Sequence, residues 1–483
     1  MLKLPIDRAI KWWADANGDR PALTCDGRTI TRRELVERTS RLAATFRNLG
    51  VKQRDFVVIA LPNGLQFLEV ALAAVKLGAM VLPISSKMPE RERTPIFDAI
   101  KPALIAGLPA GSYKNASSVS EGYECPENLS YDRLPDLEPY PWFTTTSGGS
   151  TGRPKIIVNT QAGLVNPQAP LDRIKVEGNL LVPGPLYHGA PFNLALRGLS
   201  SGNHVVVMPK FDPEACLKLI EQYRIDYVQM VPTMMNRIWR LGREVIDRYD
   251  LSRLRVLVSF GGACPAWLKE AWIDLIGAEH VHEFYSATEQ IGKTWISGTE
   301  WIQHRGSVGR PINGSVVKIF GPDGCELGPG EIGDIYLMPA SGPGTSYYYI
   351  GAEPQRRPDG WETSGDIGWL DQDGYLFIAD RRTDLIISGG ANVYPVEVET
   401  VIEQHPAVRS CAVIGLPDDD LGHRVHAIIE AEKTIDAEEL RAWLGERLVR
   451  YKIPRTFEFV TEPIRNEAGK VRRLAYRQAR MGN

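Results

Sequence analysis

The segment TTTSGGSTGRPK, residues 144–155, crowds hydroxyl side chains and glycines at the end of a long proline-rich connection. Consecutive Ser, Thr and Gly residues let backbone N–H groups turn into one concavity, and the hydroxyls add further donors. Such a nest suits phosphate oxygens. Arg153 and Lys155 bring positive charge to its rim. It is not a Walker loop, because the G-K-[ST] ending is missing and Pro154 obstructs the helix start which that loop needs. Taken alone, the segment reads better as a flexible Gly/Ser turn.

Four later segments carry further candidate chemistry. EFYSATE (283–289) sets an aromatic ring, two hydroxyls and a carboxylate at the end of an expected strand. TSGDIGWLDQDGYL (363–376) places Asp366 in an expected turn. DRRTDLIISGGANVYPVEVE (380–399) spans a change of pattern, and PIRNEAGKVRR (463–473) puts Lys470 directly after a glycine.

The elements that must position these residues follow from periodicity. RRELVERTSRLAATFRNLG has apolar residues at helical spacing and stops at Gly50, and LQFLEVALAAVKLG stops at Gly78. DFVVIAL and MVLPI read as short buried strands between and after them. The alternation recurs through HVVVMP, PEACLKLIEQYRI, YVQMVP, RVLVSFGG, AWLKEAWIDLIG and HVHEFYS. Strands alternating with helices imply parallel sheet covered on both faces, with ligands gathering at the strand ends. Residues 106–141 read as an irregular surface connection. From about residue 305 short β segments take over, and after Arg381 a compact α/β pattern restarts, so a boundary is expected at 380–384. The predicted architecture is α/β: a large N-terminal domain (1–380) of helix-covered parallel sheets plus a β-rich subdomain, and a small α+β C-terminal domain (381–483).

Composition narrows the class. With 483 residues, 43% apolar and 24% charged, and a formal charge of −3, the chain has the make-up of a globular enzyme, not of a nucleic-acid binder. The six cysteines are scattered without CxxC or metal-ligand spacing, which points to reduced thiols in a cytoplasmic setting. The N-terminus lacks a signal peptide's apolar core. The longest apolar run, VALAAVKLGAMVLPI, is interrupted by Lys76 and Gly78, so no membrane span is expected.

Together, in order and spacing, the five motifs resemble those of the adenylate-forming superfamily of acyl-CoA synthetases, luciferases and peptide-synthetase adenylation domains. The resemblance covers nearly the whole chain and is greatest to bacterial ligases for fatty or bile-acid-like acids. It implies ATP, Mg²⁺ and CoA as the small-molecule partners of a carboxylic acid. It assigns Thr146, Ser147, Gly148, Gly149, Ser150, Thr151, Gly152 and Lys155 to the β- and γ-phosphates, and Thr288 to the α-phosphate. Glu289 becomes the metal ligand, with Tyr285 and the neighbouring Ser286 at the adenine. Asp366 and Arg381 fall at the ribose. Lys470 becomes the catalytic cation, in place of the solvated lysine that most lysines are. The C-terminal domain is implied to rotate after adenylation about the position of Thr383, so that Gly389 and Gly390 let the pantetheine arm pass close to backbone; a plain β-turn is the alternative for these two.

The acyl pocket of the family matches PLYHGAPFN, FGGACP and YSATE, hence Tyr187, His188, Gly189, Ala190, Gly261, Gly262, Ala263 and Ser286. No aspartate stands in the first segment to hold an amino acid's ammonium, and Gly189 follows His188 where dihydroxybenzoate activators have Asn. His188 itself resembles the family's gating histidine near the carboxylate and so joins Lys470, Glu289 and Thr288 in the catalytic set; a packed core histidine is the alternative. The small linings leave volume for a bulky hydrophobic acid, and Ser286, in place of the family's glycine, adds a hydroxyl near the acyl group. The phosphate loop is one glycine longer than the common form. Two other readings stay open: an adenylating enzyme that passes acyl-AMP to a carrier protein, and a degenerate sensor of AMP or acyl groups. Relatives occur as monomers and homodimers.

Overall fold

The computed structural model describes all residues except 1, 127–128, 131–133, 135–136, 138–139, 149–153, 170–172, 432–434, 468 and 482–483. Its largest layer is a nine-stranded sheet in the order Arg310–Pro311, Lys293–Ser297, Val281–Ser286, Val256–Ser259, Tyr227–Met230, Asn179–Val182, His204–Val207, Pro21–Cys25, Arg28–Thr31. The strands from Val281–Ser286 through Pro21–Cys25 pair in parallel, and the outer ones are antiparallel. The parallel strands are nearly continuous apolar runs because helices cover both faces. A second parallel sheet joins Met80–Pro83, Phe56–Ile59, Leu104–Ala106 and Ser117–Val119.

The helix Leu65–Lys76 touches strands of both sheets and is buried from Phe67 to Val75. That all-round apolarity is what a helix enclosed between layers requires. Its buried Glu69 is held by Arg38 at 2.5 Å. Arg38 lies on the neighbouring helix Arg32–Asn48, whose start is fixed by a reciprocal capping box between Thr31 and Glu34.

Two antiparallel sheets complete the larger part. One joins Tyr347–Ile350, Pro154–Asn159 and Thr144–Gly148; the other joins Val316–Phe320, Gly333–Met338, Asp366–Leu370 and Leu376–Arg381. The chain leaves the latter at Arg381 and enters a different sheet at Ile386. This C-terminal sheet runs Ala391–Val393, Ile386–Ser388, Gly422–Ala431, Val408–Asp418, with Thr456–Val460 parallel to Gly422–Ala431. It has its own core, which includes Val398, Val413, Ile429 and Leu440. No helix among the described residues is long and apolar enough to cross a membrane.

The α/β expectation holds, with two local corrections. Asp366 is the first residue of a strand, paired opposite Arg381, and not part of a turn; the bend lies one residue earlier, at Gly365 with φ +85°. Within the stretch read as irregular, Ser117–Val119 adds an edge strand. It is three residues long and starts with two serines, too short and too polar to show a period.

Buried titratable groups set the response to acid. Burial pushes His188, His204 and His282 each down to about 4. The unfolded chain binds these protons near pH 6.5 and the native state only near pH 4, so stability falls as pH drops through that window. Asp380, pushed up to about 6 by burial, works in the opposite sense, since the native state takes its proton first. Each net proton is worth about 1.4 kcal/mol per pH unit. His426 is lowered by burial as well, and Glu403 is raised like Asp380, so the histidines outnumber the acids and the urea midpoint should fall clearly between pH 6.5 and 4.5. A midpoint that does not move would show that the histidines ionise inside the fold.

Candidate active site

The motifs converge on one cleft of about 2630 Å³ between the larger part and the C-terminal sheet. That is several times the space one drug-sized ligand occupies, and it suits a site that must hold more than one substrate.

The hydroxyl- and glycine-rich segment is a hairpin. Thr144–Gly148 pairs with Pro154–Asn159, with Ser147 opposite Lys155 and Gly148 opposite Pro154. Its tip, Gly149, Ser150, Thr151, Gly152 and Arg153, lies outside the described residues, as does the side chain of Ser147. Thr146 and Lys155 line the cleft. Lys155 holds its ammonium 5.4 Å from the ring centroid of Tyr349, on the third strand of that sheet. The Tyr349 hydroxyl in turn donates to Glu289 Oε1 at 2.7 Å.

Glu289 sits in the turn after Val281–Ser286, at the carboxyl end of the parallel strands where ligands collect in such sheets. Thr288 beside it is exposed to the cleft. With one oxygen fixed by Tyr349 and no partner for the other among the described residues, the Glu289 carboxylate is a hard donor that fits a divalent cation.

Tyr285 and Asp366 form one unit. The tyrosine hydroxyl donates to Asp366 Oδ2 at 2.7 Å, and the Ser364 hydroxyl donates to the same oxygen at 2.7 Å. Arg381 Nε lies 3.3 Å from Oδ1. Burial, then the Asp366 charge, holds the Tyr285 hydroxyl protonated, so it remains a donor and its ring is fixed in orientation. Ser286 spends its hydroxyl on the Gly292 carbonyl at 2.9 Å, which closes the turn on itself.

Lys470 arrives on a tight hairpin that follows the last strand of the C-terminal sheet and is bridged from Arg465 to Val471. It keeps access to water through the cleft mouth while protein surrounds it on most sides. That burial lowers its pKa, Arg381 lowers it further, and the charges of Glu289 and Asp366 raise it. The ammonium therefore stands in the field of both carboxylates. His188 is the residue before the helix Gly189–Ser200. Its imidazole is neutral, through burial and the nearby Lys470, and its buried Nε2 has no partner among the described residues.

The small residues differ in what they leave open. A Cβ at Gly262 would meet nothing within 4 Å, whereas one at Gly261 would approach Val231 to 3.4 Å. A Cβ at Gly189 would pack on Thr145 at 3.4 Å and Phe143 at 3.5 Å. Gly262 and Ala263 thus border free space, together with Ala190 and Tyr187 on the opposing segment. Gly389 and Gly390, with φ of +56° and +80°, form the turn between Ile386–Ser388 and Ala391–Val393 and do not line the cleft. Thr383 lies in the turn that links the two sheets. Asp384 of that turn is held by Arg473 at 2.8 Å, which also binds Glu399 at 2.7 Å.

Sequence reasoning passed over Tyr349, Glu467 and Asp380. Asp380 accepts from the backbone N–H groups of Arg381 and Val396 and so ties the strand Leu376–Arg381 to the first turn of the helix Pro395–Ile402. The run Tyr347–Tyr349 was visible in the sequence, but only strand pairing turns one of its rings toward Lys155.

The chain matches the AMP-binding enzyme family over residues 10–349 and the AMP-binding enzyme C-terminal domain over 397–470. It is 34% identical to a feruloyl-CoA synthase of Amycolatopsis sp, covering 92% of this chain and 93% of the relative. It is 30% identical to a 2-succinylbenzoate–CoA ligase of Bacillus licheniformis, covering 96% and 98%. Among solved structures it is similar to o-succinylbenzoate CoA synthetase from Bacillus subtilis in complex with an acyl-adenylate intermediate, with TM-score 0.84, 25% identity and all of both chains covered. This chain belongs to the AMP-binding enzymes, the adenylate-forming family of the acyl-CoA ligases.

Proposed function

We propose that this AMP-forming acid–thiol ligase activates a bulky hydrophobic carboxylic acid and passes it to CoA. In the first step the carboxylate attacks the α-phosphate of ATP; an acyl–O–P bond forms, the α–β bond breaks and pyrophosphate leaves. In the second step the CoA thiolate attacks the acyl carbonyl and AMP departs. Bringing a carboxylate to a polyanion makes charge neutralisation and alignment most of the catalytic task.

The observation that carries this reading is the convergence of Lys470, Glu289, Asp366 and His188 on one cleft. A cation there stabilises negative charge as the carboxylate meets the phosphate, most strongly in the transition state. The hairpin 144–155 takes the β- and γ-phosphates, with Thr146 and Lys155 at its base. Thr288 contacts the α-phosphate. Tyr285 offers a fixed ring face to adenine, and Asp366 with Arg381 receives the ribose hydroxyls. Glu289 holds Mg²⁺, which supplies charge neutralisation at the phosphates. After adenylation the chain turns about Thr383, Lys470 withdraws, and Gly389 and Gly390 move in to accept the pantetheine arm.

The acid enters beside Tyr187, His188 and the open wall at Gly262 and Ala263. No ionised side chain stands at Gly189 or Ala190 to demand a charged substituent. Relatives named for ferulate, 2-succinylbenzoate and indoleacetate support an acid with a ring system. We place the enzyme in the cytoplasm, where ATP and CoA are available. The test is mass spectrometry of products from ATP, Mg²⁺ and aliphatic, aromatic, steroidal and diterpenoid acids, each with and without CoA. Acyl-CoA from the ring-bearing or long acids is the expected result. Preference for short aliphatic acids would refute the substrate class. Acyl-AMP that accumulates even with CoA present would favour transfer to a carrier protein.

A further inference from the structure

We infer that Glu467 is a positioning residue for Lys470 and acts through Tyr187, so that the acid-binding segment itself registers the catalytic lysine. The inference rests on the reading of Lys470 given above. The hydroxyl of Tyr187 donates to Glu467 Oε2 at 3.1 Å, joining residues 280 positions apart. Tyr187 directly precedes His188, and their rings lie 4.3 Å apart, so the partner of Glu467 belongs to the wall that receives the acid.

The hairpin is stiff enough to transmit that contact. Lys470 N–H donates to Asn466 Oδ1 at 2.9 Å, Gly469 N–H to the Asn466 carbonyl at 2.8 Å, and Asn466 N–H to the Lys470 carbonyl at 3.1 Å. Its base is pinned by Arg465, which binds Glu403 at 2.9 Å and Ser410 at 3.1 Å. Gly469, with φ +72°, lies so close to the larger part that a Cβ would come within 2.5 Å of Thr233 Oγ1. Glycine there lets the hairpin sit down flat; it fixes how near Lys470 comes but has no polar group to fix its register. The Tyr187–Glu467 bond is the directional contact. Burial, and after it the Glu467 charge, keep the tyrosine protonated, pushed up to about 12, so the donor persists across the working pH range. Rotation of the C-terminal part must break this bond, so it favours the adenylating arrangement only.

The experiment measures the two half-reactions separately: pyrophosphate release with acid and ATP, and thioester formation from supplied acyl-AMP and CoA. Glu467→Ala should slow the first roughly five- to tenfold, the range of an ordinary net hydrogen bond, and leave the second unchanged. Glu467→Gln, which keeps an acceptor oxygen, should retain most of the rate. Tyr187→Phe should slow the first half-reaction to a similar degree, and the double variant Tyr187→Phe/Glu467→Ala should be no slower than the worse single one. Wild-type pyrophosphate release in Glu467→Ala, equal loss in both half-reactions, or losses that multiply in the double variant would each overturn the inference. Lys470→Ala runs alongside: if it still forms acyl-AMP, the lysine reading fails first, and the two failures are told apart.

Discussion

Lys470→Ala should abolish most acyl-AMP formation while sparing thioester formation from supplied acyl-AMP. Removing one preorganised group that stabilises transition-state charge typically costs on the order of a hundred- to a thousandfold in rate, and the first half-reaction should show a loss of that size. The asymmetry follows from where the lysine sits. Its ammonium is placed by a hairpin of the C-terminal part into a cleft where Glu289, Asp366 and His188 come from the larger part. Its charge acts only while the two are docked as found here. Burial and Arg381 lower its pKa, so the adenylating step should also lose rate at an alkaline pH below the ordinary lysine range, as the ammonium gives up its proton. Equal loss of both half-reactions would mean that the lysine supports the fold and not one step.

Asp366→Ala should raise the ATP concentration needed for half-maximal pyrophosphate release by roughly tenfold to a hundredfold. The estimate counts a lost charge-assisted contact together with the partners left behind. Asp366 accepts from both Tyr285 and Ser364 and faces Arg381. Its removal therefore leaves a buried tyrosine hydroxyl without its acceptor and frees the ring that we assign to adenine. The acid's own half-saturation concentration should stay near wild type, because the residues bordering the acid lie on other segments. Unchanged nucleotide affinity would refute the ribose assignment, and a parallel loss of acid affinity would point to a general collapse of the cleft.

Much of this arrangement was legible before any coordinates. The strands VVI and VLVS are apolar because both faces are covered, and a covered parallel strand has few other ways to be written. The segment 144–155, which we assign to the phosphates, stood out through its hydroxyls and glycines, and Lys470 through its place directly after Gly469, whose positive φ few other residues accept. Asp366 was recognised but set in the wrong local structure, since a strand that starts directly after a glycine bend looks the same in sequence as the bend itself. Tyr349 was missed for a different reason. Three consecutive tyrosines alternate between the faces of a strand, and nothing local says which face meets Lys155 and Glu289.

What the sequence determined by itself are properties that depend on near neighbours: which segments become strand or helix, where the backbone needs glycine, and which short stretches hold a chemically competent set of donors. These are decided by backbone sterics and by periodic burial, which act over a few residues. The tertiary structure alone decided which groups converge. Glu289 is held by a tyrosine 60 residues further on, and Glu467 meets Tyr187 across 280 residues. Contacts at such separations are made by the packing of whole sheets against one another, and no local preference of either partner encodes them.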